Sequence, residues 1–171
     1  YVVNNFGISE DMVEVVYNPF DKSRFKPNSL PSGTDKPVVL FVGTMDYLRE
    51  KPIMDLVEKC RTENKELWLV GKDTMGYASN LGNNEPHVKY FEPTDKIEEF
   101  YYKCDVTAGI MLGRTTIEGF LCGKPAIIYD VDKTGEITGV SHHEVPEDLS
   151  IFDFDNIIDK IKSVYIESYN K

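Results

Sequence analysis

The segment Gly113–Glu118 combines residue types that bind phosphates and sugar hydroxyls. It reads Gly-Arg-Thr-Thr-Ile-Glu and follows an apolar run. A glycine there lets a ligand approach the backbone, and the amides of Arg114, Thr115 and Thr116 would point at that ligand from a helix N-terminus. The Arg114 guanidinium adds donors for a diphosphate, and the Glu118 carboxylate can accept hydrogen bonds from a ribose diol. The spacing is therefore typical of a nucleoside diphosphate site.

The residues from Thr115 to Glu118 also match a capping box. In that arrangement the threonine hydroxyl and the glutamate carboxylate each accept a backbone amide hydrogen bond, and they do no more than start the helix. On spacing alone, a ribose ligand and a helix cap both remain open for Glu118.

A second candidate phosphate site follows an earlier apolar run, where Gly43 and Thr44 precede Arg49 and Lys51. Cations are unfavourable at a helix N-terminus because of the macrodipole, so their presence is explained if helix and side chain share an anion. The alternative is that Arg49 and Lys51 pair only with Glu50 and solvent.

Other motifs in the chain predict structure rather than chemistry. The triplet Asp130-Val131-Asp132 resembles the DxD of metal-dependent transferases, but no other ligand set accompanies it, so we expect a structural loop and no metal. The adjacent His142 and His143 lack the spacing of a helical zinc pair and are expected in a surface loop. Gly119–Lys124 has three intervening residues where a P-loop has four, and Pro125 follows where serine or threonine must stand.

Apolar runs of strand length alternate with segments of helical periodicity, which predicts βαβ units and a mostly parallel sheet. Ligands of such sheets bind beyond the carboxyl ends of the strands, so the loops that follow the strands should form the site. Thr94 is a plausible N-cap of the second helix. Two stretches, 27–36 and 74–86, are predicted loops, and 13–17 a short strand. The predicted strands are 37–43, 66–71, 88–91, 106–112 and 125–131, and the helices 51–61, 94–103, 115–122 and 156–166.

Composition bounds the class of protein. The 171 residues are 41% hydrophobic and 28% charged, which supports a packed core and argues against disorder. A net charge of -10 argues against nucleic acid as a partner.

The three cysteines (Cys60, Cys104 and Cys122) are predicted to be buried thiols in a reducing compartment. There is no transmembrane-length apolar run and no signal sequence, so we expect a cytoplasmic protein. The first residue is Tyr1, which suggests a piece of a longer protein.

Several segments together resemble the carboxy-terminal, donor-binding domain of GT-B glycosyltransferases of family 4, the group 1 transferases. Residues 15–21 (VVYNPFD), followed by Phe25-Lys26-Pro27, are similar to the family's linker. Leu40–Gly43, Leu69–Gly71 and Val88–Phe91 are similar to its first three domain strands, and 117–126 (IEGFLCGKPA) to its LEAMACGKPVV segment. The resemblance covers most of the chain.

The resemblance assigns roles to individual residues. Glu118 occupies the position of the second glutamate of the E-x7-E motif, which holds the ribose hydroxyls. Ile110 stands where the first glutamate, a contact of the transferred sugar, would be, and Thr44 replaces the arginine that follows the first glycine. The phosphate-binding role of that arginine would pass to Arg49 or Lys51. The diphosphate set is Gly43, Thr44, Arg49, Lys51, Gly113, Arg114, Thr115 and Thr116, and the base region comprises Gly71, Lys72, Tyr90 and Phe91.

The expected fold is therefore α/β, a Rossmann-like parallel sheet with helices on both faces, forming one half of a GT-B fold. Residues 1–27 would be a linker-like segment with the first strand, and 28–171 the nucleotide-sugar-binding domain. The resemblance implies a retaining glycosyltransferase that uses a UDP- or GDP-sugar as donor substrate and no cofactor.

Catalytic groups and the site for a saccharide or lipid-linked acceptor are expected in an amino-terminal domain. The full-length protein is expected at the inner membrane surface, and the isolated chain is expected to be inactive. Two alternatives are half of a GT-B-fold sugar-nucleotide epimerase and a nucleotide-binding module without catalysis.

Overall fold

The computed structural model describes Ser9, Val13, Val16 and residues 20–169, with the side chains of 167–169 left out. The predicted strand at 13–17 and most of the predicted linker at 15–21 lie outside the described residues. The chain divides into two compact units, one of residues 22–147 and one of residues 1–21 with 148–171.

The larger unit is built on one six-stranded sheet with the strand order β3-β2-β1-β4-β5-β6. The first five strands run parallel, and β6 runs antiparallel to β5. The strands are β1 (Val38–Val42), β2 (Glu66–Val70), β3 (Val88–Phe91), β4 (Val106–Ile110), β5 (Ala126–Val131) and β6 (Ile137–His143). This is the predicted Rossmann-like sheet, and that prediction is confirmed.

Four helices connect the parallel strands: α1 (Tyr47–Thr62), α2 (Tyr77–Asn84), α3 (Ile97–Lys103) and α4 (Arg114–Leu121). Because parallel crossovers are right-handed, α1 and α2 cover one face of the sheet, and α3 and α4 cover the other. The chain reverses its direction of winding between β1 and β4, so the carboxyl ends of these neighbouring strands flank a crevice.

Alternate residues of the strands supply the two halves of the core. Val39 and Phe41 of β1 pack in a buried cluster with Ile53, Leu56 and Val57 of α1. On the opposite face, the ring of Trp68 in β2 lies 6.1 Å from that of Phe100 in α3. Burying one such aliphatic side chain contributes about 1.5 to 3 kcal/mol, so both helix layers are held chiefly by apolar contact.

Three local predictions are wrong. The predicted loop at 74–86 contains α2, whose first turn is anchored by Asp73, because the Asp73 carboxylate accepts hydrogen bonds from the amides of Gly76 and Ser79 at 2.8 and 2.9 Å. The N-cap of α3 is Lys96 rather than Thr94, whose hydroxyl instead accepts the Lys96 amide at 3.1 Å. His142 and His143 lie on β6, not in a loop.

The smaller unit contains a short 3-10 helix (Ser150–Phe152) and α5 (Phe154–Tyr169), which confirms the predicted closing helix. The ring of Phe20 meets that of Phe152 edge to face, with centroids 6.1 Å apart.

Candidate functional site

A cleft of about 430 Å³ opens at the carboxyl edge of the sheet, where β1 and β4 diverge. Residues from the loops after β1, β2, β3 and β4 line it, as the rule for open parallel sheets predicts. The lining comprises Arg24, Val42, Gly43, Thr44, Val70, Gly71, Lys72, Pro93, Thr94, Asp95, Ile97, Arg114, Thr115 and Glu118.

Two glycines bring the loops after β1 and β2 into direct contact at the base of the cleft. Gly71 has a φ of 141°, and a Cβ on it would lie 2.0 Å from the carbonyl oxygen of Gly43. The Gly43 amide donates to the Val70 carbonyl at 3.0 Å, which locks the two loops together. A side chain at position 71 would force these backbones apart, so glycine is a steric requirement there.

Helix α4 begins at the rim of the cleft with its first-turn amides free of intrahelical partners. Its N-cap is Gly113, and no side chain of the described residues caps it. The first helical hydrogen bond runs from the Ile117 amide to the Gly113 carbonyl at 3.1 Å. The amides of Arg114, Thr115 and Thr116 therefore supply donors and the positive end of the helix dipole.

This geometry excludes the capping-box interpretation, because Thr115 is the second residue of the helix rather than its N-cap. Glu118 accordingly lies too far into the helix to reach back to the N-cap amide.

Glu118 is buried, with 4% of the residue exposed, and each oxygen of its carboxylate has a partner. Tyr101 donates its hydroxyl to Oε2 at 3.0 Å, and Arg114 donates Nε to Oε1 at 2.8 Å. Burial, followed by the charge of Glu118, raises the pKa of Tyr101 well above its ordinary value, so the phenol remains a donor. A buried charge is stable only when paired and hydrogen-bonded, and these two donors meet that need.

Three cations line the cleft: Arg24, Lys72 and Arg114. Lys72 follows β2 and is exposed, and Arg24 donates Nε to Glu98 at 2.7 Å. With the carboxylates of Asp95 and Glu118, the lining carries a small positive excess in a chain of net charge -10. Arg24 was not predicted, because it precedes β1 and no strand-end pattern marks it.

Of the two candidate cations after β1, Arg49 lies nearer the cleft. Its Nε would be 3.4 Å from a Cβ on Gly43, and its guanidinium pairs with Asp46 at 2.5 Å. Lys51 lies one turn into α1 and pairs with Glu136 from the turn between β5 and β6. The geometry therefore favours Arg49 over Lys51 as a cation beside the first glycine loop.

The predicted base-region aromatics do not line the cleft. The Phe91 ring packs against Trp68 and Phe100, with centroids 5.6 and 5.0 Å away. Tyr90 donates its hydroxyl to the Gly71 carbonyl at 3.0 Å and so braces the glycine loop. The segment from Pro93 to Ile97 lines the cleft beyond β3 in their place.

The remaining predicted diphosphate residues, Gly113 and Thr116, lie next to the lining rather than in it. Gly113 is the N-cap of α4. Thr116 is 1% exposed, and its hydroxyl has no hydrogen-bond partner among the described residues, so its backbone amide is the group that can serve a ligand. The structure thus brings together Gly43, Thr44, Gly71, Lys72, Arg114, Thr115 and Glu118, and leaves Arg49, Lys51, Gly113, Thr116, Tyr90 and Phe91 outside the lining.

The loop between β4 and α4 is short and carries no carboxylate. Ile110, eight residues before Glu118, is still in β4 and pairs with Tyr129. Met111 has a φ of 55° and is 57% exposed, an arrangement that is unusual for a residue other than glycine.

The triplet Asp130-Val131-Asp132, which was predicted to be a loop, instead lies at the end of β5, and only Asp132 belongs to the turn that follows. Asp132 accepts hydrogen bonds from the amides of Thr134 and Glu136 at 2.8 and 3.1 Å and so shapes the turn between β5 and β6. The cysteines are buried, which raises the pKa of Cys60 to about 11 and of the other two to about 12. Within the described part of the chain, no three His, Cys, Asp or Glu side chains cluster to hold a metal.

The sequence profile of the family "Glycosyl transferases group 1" matches residues 36–165, which is most of the chain and includes the whole cleft-forming sheet. This chain belongs to the group 1 glycosyltransferases. The predicted membership of the group 1 transferases is therefore confirmed. No curated protein sequence matches this group 1 chain significantly.

Solved glycosyltransferases share the fold of this group 1 chain. A complex of Anabaena HepE with UDP-glucose is similar over 75% of this chain and 41% of its own, with 23% identity and a TM-score of 0.56. A Rickettsia africae glycosyltransferase is similar over 96% and 50% of the two chains, with 18% identity and a TM-score of 0.58.

AviGT4, of avilamycin A biosynthesis, is similar over 93% of this chain and 58% of its own, with 11% identity and a TM-score of 0.65. The group 1 chain thus spans about half the length of these enzymes. None of its described helices is long and apolar enough to cross a membrane.

Proposed function

We propose that this chain is the donor-binding half of a glycosyltransferase and that its cleft holds the nucleoside diphosphate of a sugar nucleotide. The observation that carries the proposal is the juxtaposition, in one cleft, of the α4 N-terminus, the cations Lys72 and Arg114, and the buried Glu118 carboxylate. These groups match the two polar parts of a nucleoside diphosphate, since donors meet the phosphates and the acceptor meets the ribose diol.

Each part of the ligand has a place along the cleft. The diphosphate would lie on the first-turn amides of α4 and against the Gly43 loop, and the ribose would reach Glu118. The base would extend toward Pro93 and Ile97, which supply an apolar surface beyond β3. HepE is complexed with UDP-glucose, so UDP-sugars are the first donors to test.

In this proposal the chain assists transfer by stabilising the leaving group. Negative charge develops on the diphosphate as the bond to the sugar breaks. The helix dipole and the cations would stabilise this charge, because they are already in place before the reaction. The acceptor and the remaining catalytic groups would come from an amino-terminal domain, and the sugar would be transferred with retention of its anomeric configuration.

Sugar transfer by the full-length protein tests this function. We expect the full-length protein to consume one of a panel of UDP- and GDP-sugars when a saccharide or lipid-linked acceptor is present, and NMR of the product to show the donor's anomeric configuration. We expect the 171-residue chain alone to bind the nucleotide and transfer nothing. Inverted product would contradict retention, and formation of the 2-epimer from UDP-N-acetylglucosamine would replace transfer with epimerisation.

A further inference from the structure

The two donors that hold Glu118 differ in how firmly they are themselves held. Tyr101 is 0% exposed. Besides Glu118, its hydroxyl lies 2.9 Å from the carbonyl of Thr115, which is in the same turn of α4 as Glu118. The Arg114 side chain is 70% exposed, whereas the Glu118 side chain that it contacts is 5% exposed. Tyr101 is therefore a fixed partner of Glu118, whereas Arg114 is attached at the cleft surface by this one ion pair among the contacts described.

Arg114 occupies Oε1, and Tyr101 occupies Oε2. Each carboxylate oxygen can accept a second hydrogen bond, but the Glu118 side chain is only 5% exposed, so a ribose diol reaches it only if one of the two donors gives way. Tyr101 cannot leave without opening the core, so the ribose must compete with Arg114 for access to Oε1.

We propose that Arg114 is an exchangeable partner of Glu118, which blocks the ribose acceptor until a diphosphate draws the guanidinium away. This inference rests on the proposed function and adds an order of recognition to it. Phosphate recognition makes ribose recognition possible, and Tyr101 is the positioning residue that keeps the carboxylate in place during the exchange.

The geometry favours the exchange because Arg114 is the first residue of α4, next to the amides that would receive the phosphates. A diphosphate offers the guanidinium more charge and more acceptor oxygens than one carboxylate oxygen does, and paired N–H donors suit phosphate oxygens. One side-chain movement would thus complete the phosphate contacts and free Oε1. The expected result is positive cooperativity between the two halves of the nucleotide.

The test separates those halves and uses uridine and inorganic pyrophosphate as probes. Uridine is titrated into the 171-residue chain, with and without saturating pyrophosphate, and binding is followed by NMR shifts of the cleft amides. We expect pyrophosphate to strengthen uridine binding about fivefold or more. In the Arg114→Met variant, which keeps side-chain length and removes the donors, uridine should bind equally with and without pyrophosphate, and as tightly as to the pyrophosphate-bound wild type.

Two further variants test the roles of Tyr101 and Glu118 in this cooperativity. Tyr101→Phe removes the hydroxyl alone, and we expect it to lose most of the pyrophosphate-dependent gain in uridine binding while pyrophosphate itself binds as to wild type. Glu118→Gln should lose the gain as well. Uridine shifts in wild type that are the same with and without pyrophosphate, whether small or absent, overturn the exchange. If UDP still shifts the cleft amides in that case, the proposed function stands without it.

Discussion

Replacing Gly71 by alanine should lower the free energy of unfolding by about 3 kcal/mol or more. The new Cβ would lie 2.0 Å from the Gly43 carbonyl oxygen, so one of two backbone loops must move, and the φ of 141° is itself unfavourable for alanine. Strain of this kind costs about 1 to 3 kcal/mol, and forced repacking a similar amount. In a protein of this size that corresponds to a fall in melting temperature of about 6 °C or more, measurable by calorimetry.

Gly33→Ala is the matched control, because Gly33 has a φ of 79° but nothing within 4 Å of the added Cβ. Gly33→Ala should lower the free energy of unfolding only through its positive φ, by about 1 kcal/mol. The same paired loops form the base of the cleft, so Gly71→Ala should also weaken nucleotide binding, and Gly33→Ala should not. Equal melting temperatures for the two variants would mean that the loops after β1 and β2 do not meet as described.

Removing either cleft cation, by Arg114→Ala or Lys72→Ala, should weaken binding of a nucleoside diphosphate by about 1.5 to 3 kcal/mol, the range for a charge-assisted hydrogen bond. Both residues line the cleft, and Arg114 is also the first residue of α4. Nucleoside binding should not weaken with either change. Affinities of the variants for UDP and uridine, measured by titration, check this expectation.

Lys51→Ala is the control for charge alone, because it also removes one positive charge but from a side chain paired with Glu136 outside the cleft. Its UDP affinity should stay within about twofold of wild type, since an exposed ion pair contributes little. If Lys51→Ala weakens binding more than Lys72→Ala does, the phosphates lie on the α1 side of the cleft instead.

The central sheet could be predicted because each of its parallel strands has a recognisable local sequence pattern. The strands of β1 to β5 are short apolar runs that alternate with amphipathic segments, and buried parallel strands require that pattern. The helix at Tyr77–Asn84 was not predictable in this way, because its glycine and three asparagines are poor helix formers. It is anchored by Asp73, a residue outside the segment, whose carboxylate accepts the amides of its first turn. A local carboxylate just before the segment, rather than the helix propensity of its residues, therefore starts that helix.

Some residues of the candidate site could also be predicted from the sequence, and others could not. Glycines and polar residues directly after a strand, such as Gly43, Gly71 and Arg114, were identifiable from their positions. Tyr101 and Arg24 were not, because each reaches the cleft region from an element whose own sequence shows only helix periodicity or loop. Spacing also could not decide whether Glu118 caps α4 or faces a ligand, since the answer depends on the helix starting one residue before Thr115.

The central claim is that the cleft between the carboxyl ends of β1 and β4 binds a nucleoside diphosphate, and an NMR titration of the 171-residue chain with UDP tests it most directly. The account predicts saturable amide shifts at Gly43, Gly71, Lys72, Arg114, Thr115 and Glu118. The expected dissociation constant is about 0.1 to 1 mM, because in the proposed function an amino-terminal domain would supply the other wall of the cleft. A smaller cavity of about 110 Å³, lined by Cys60 and His142 among others, lies at the amino edge of the sheet. Shifts centred on that cavity, or no saturable shifts at the carboxyl edge, would contradict the account.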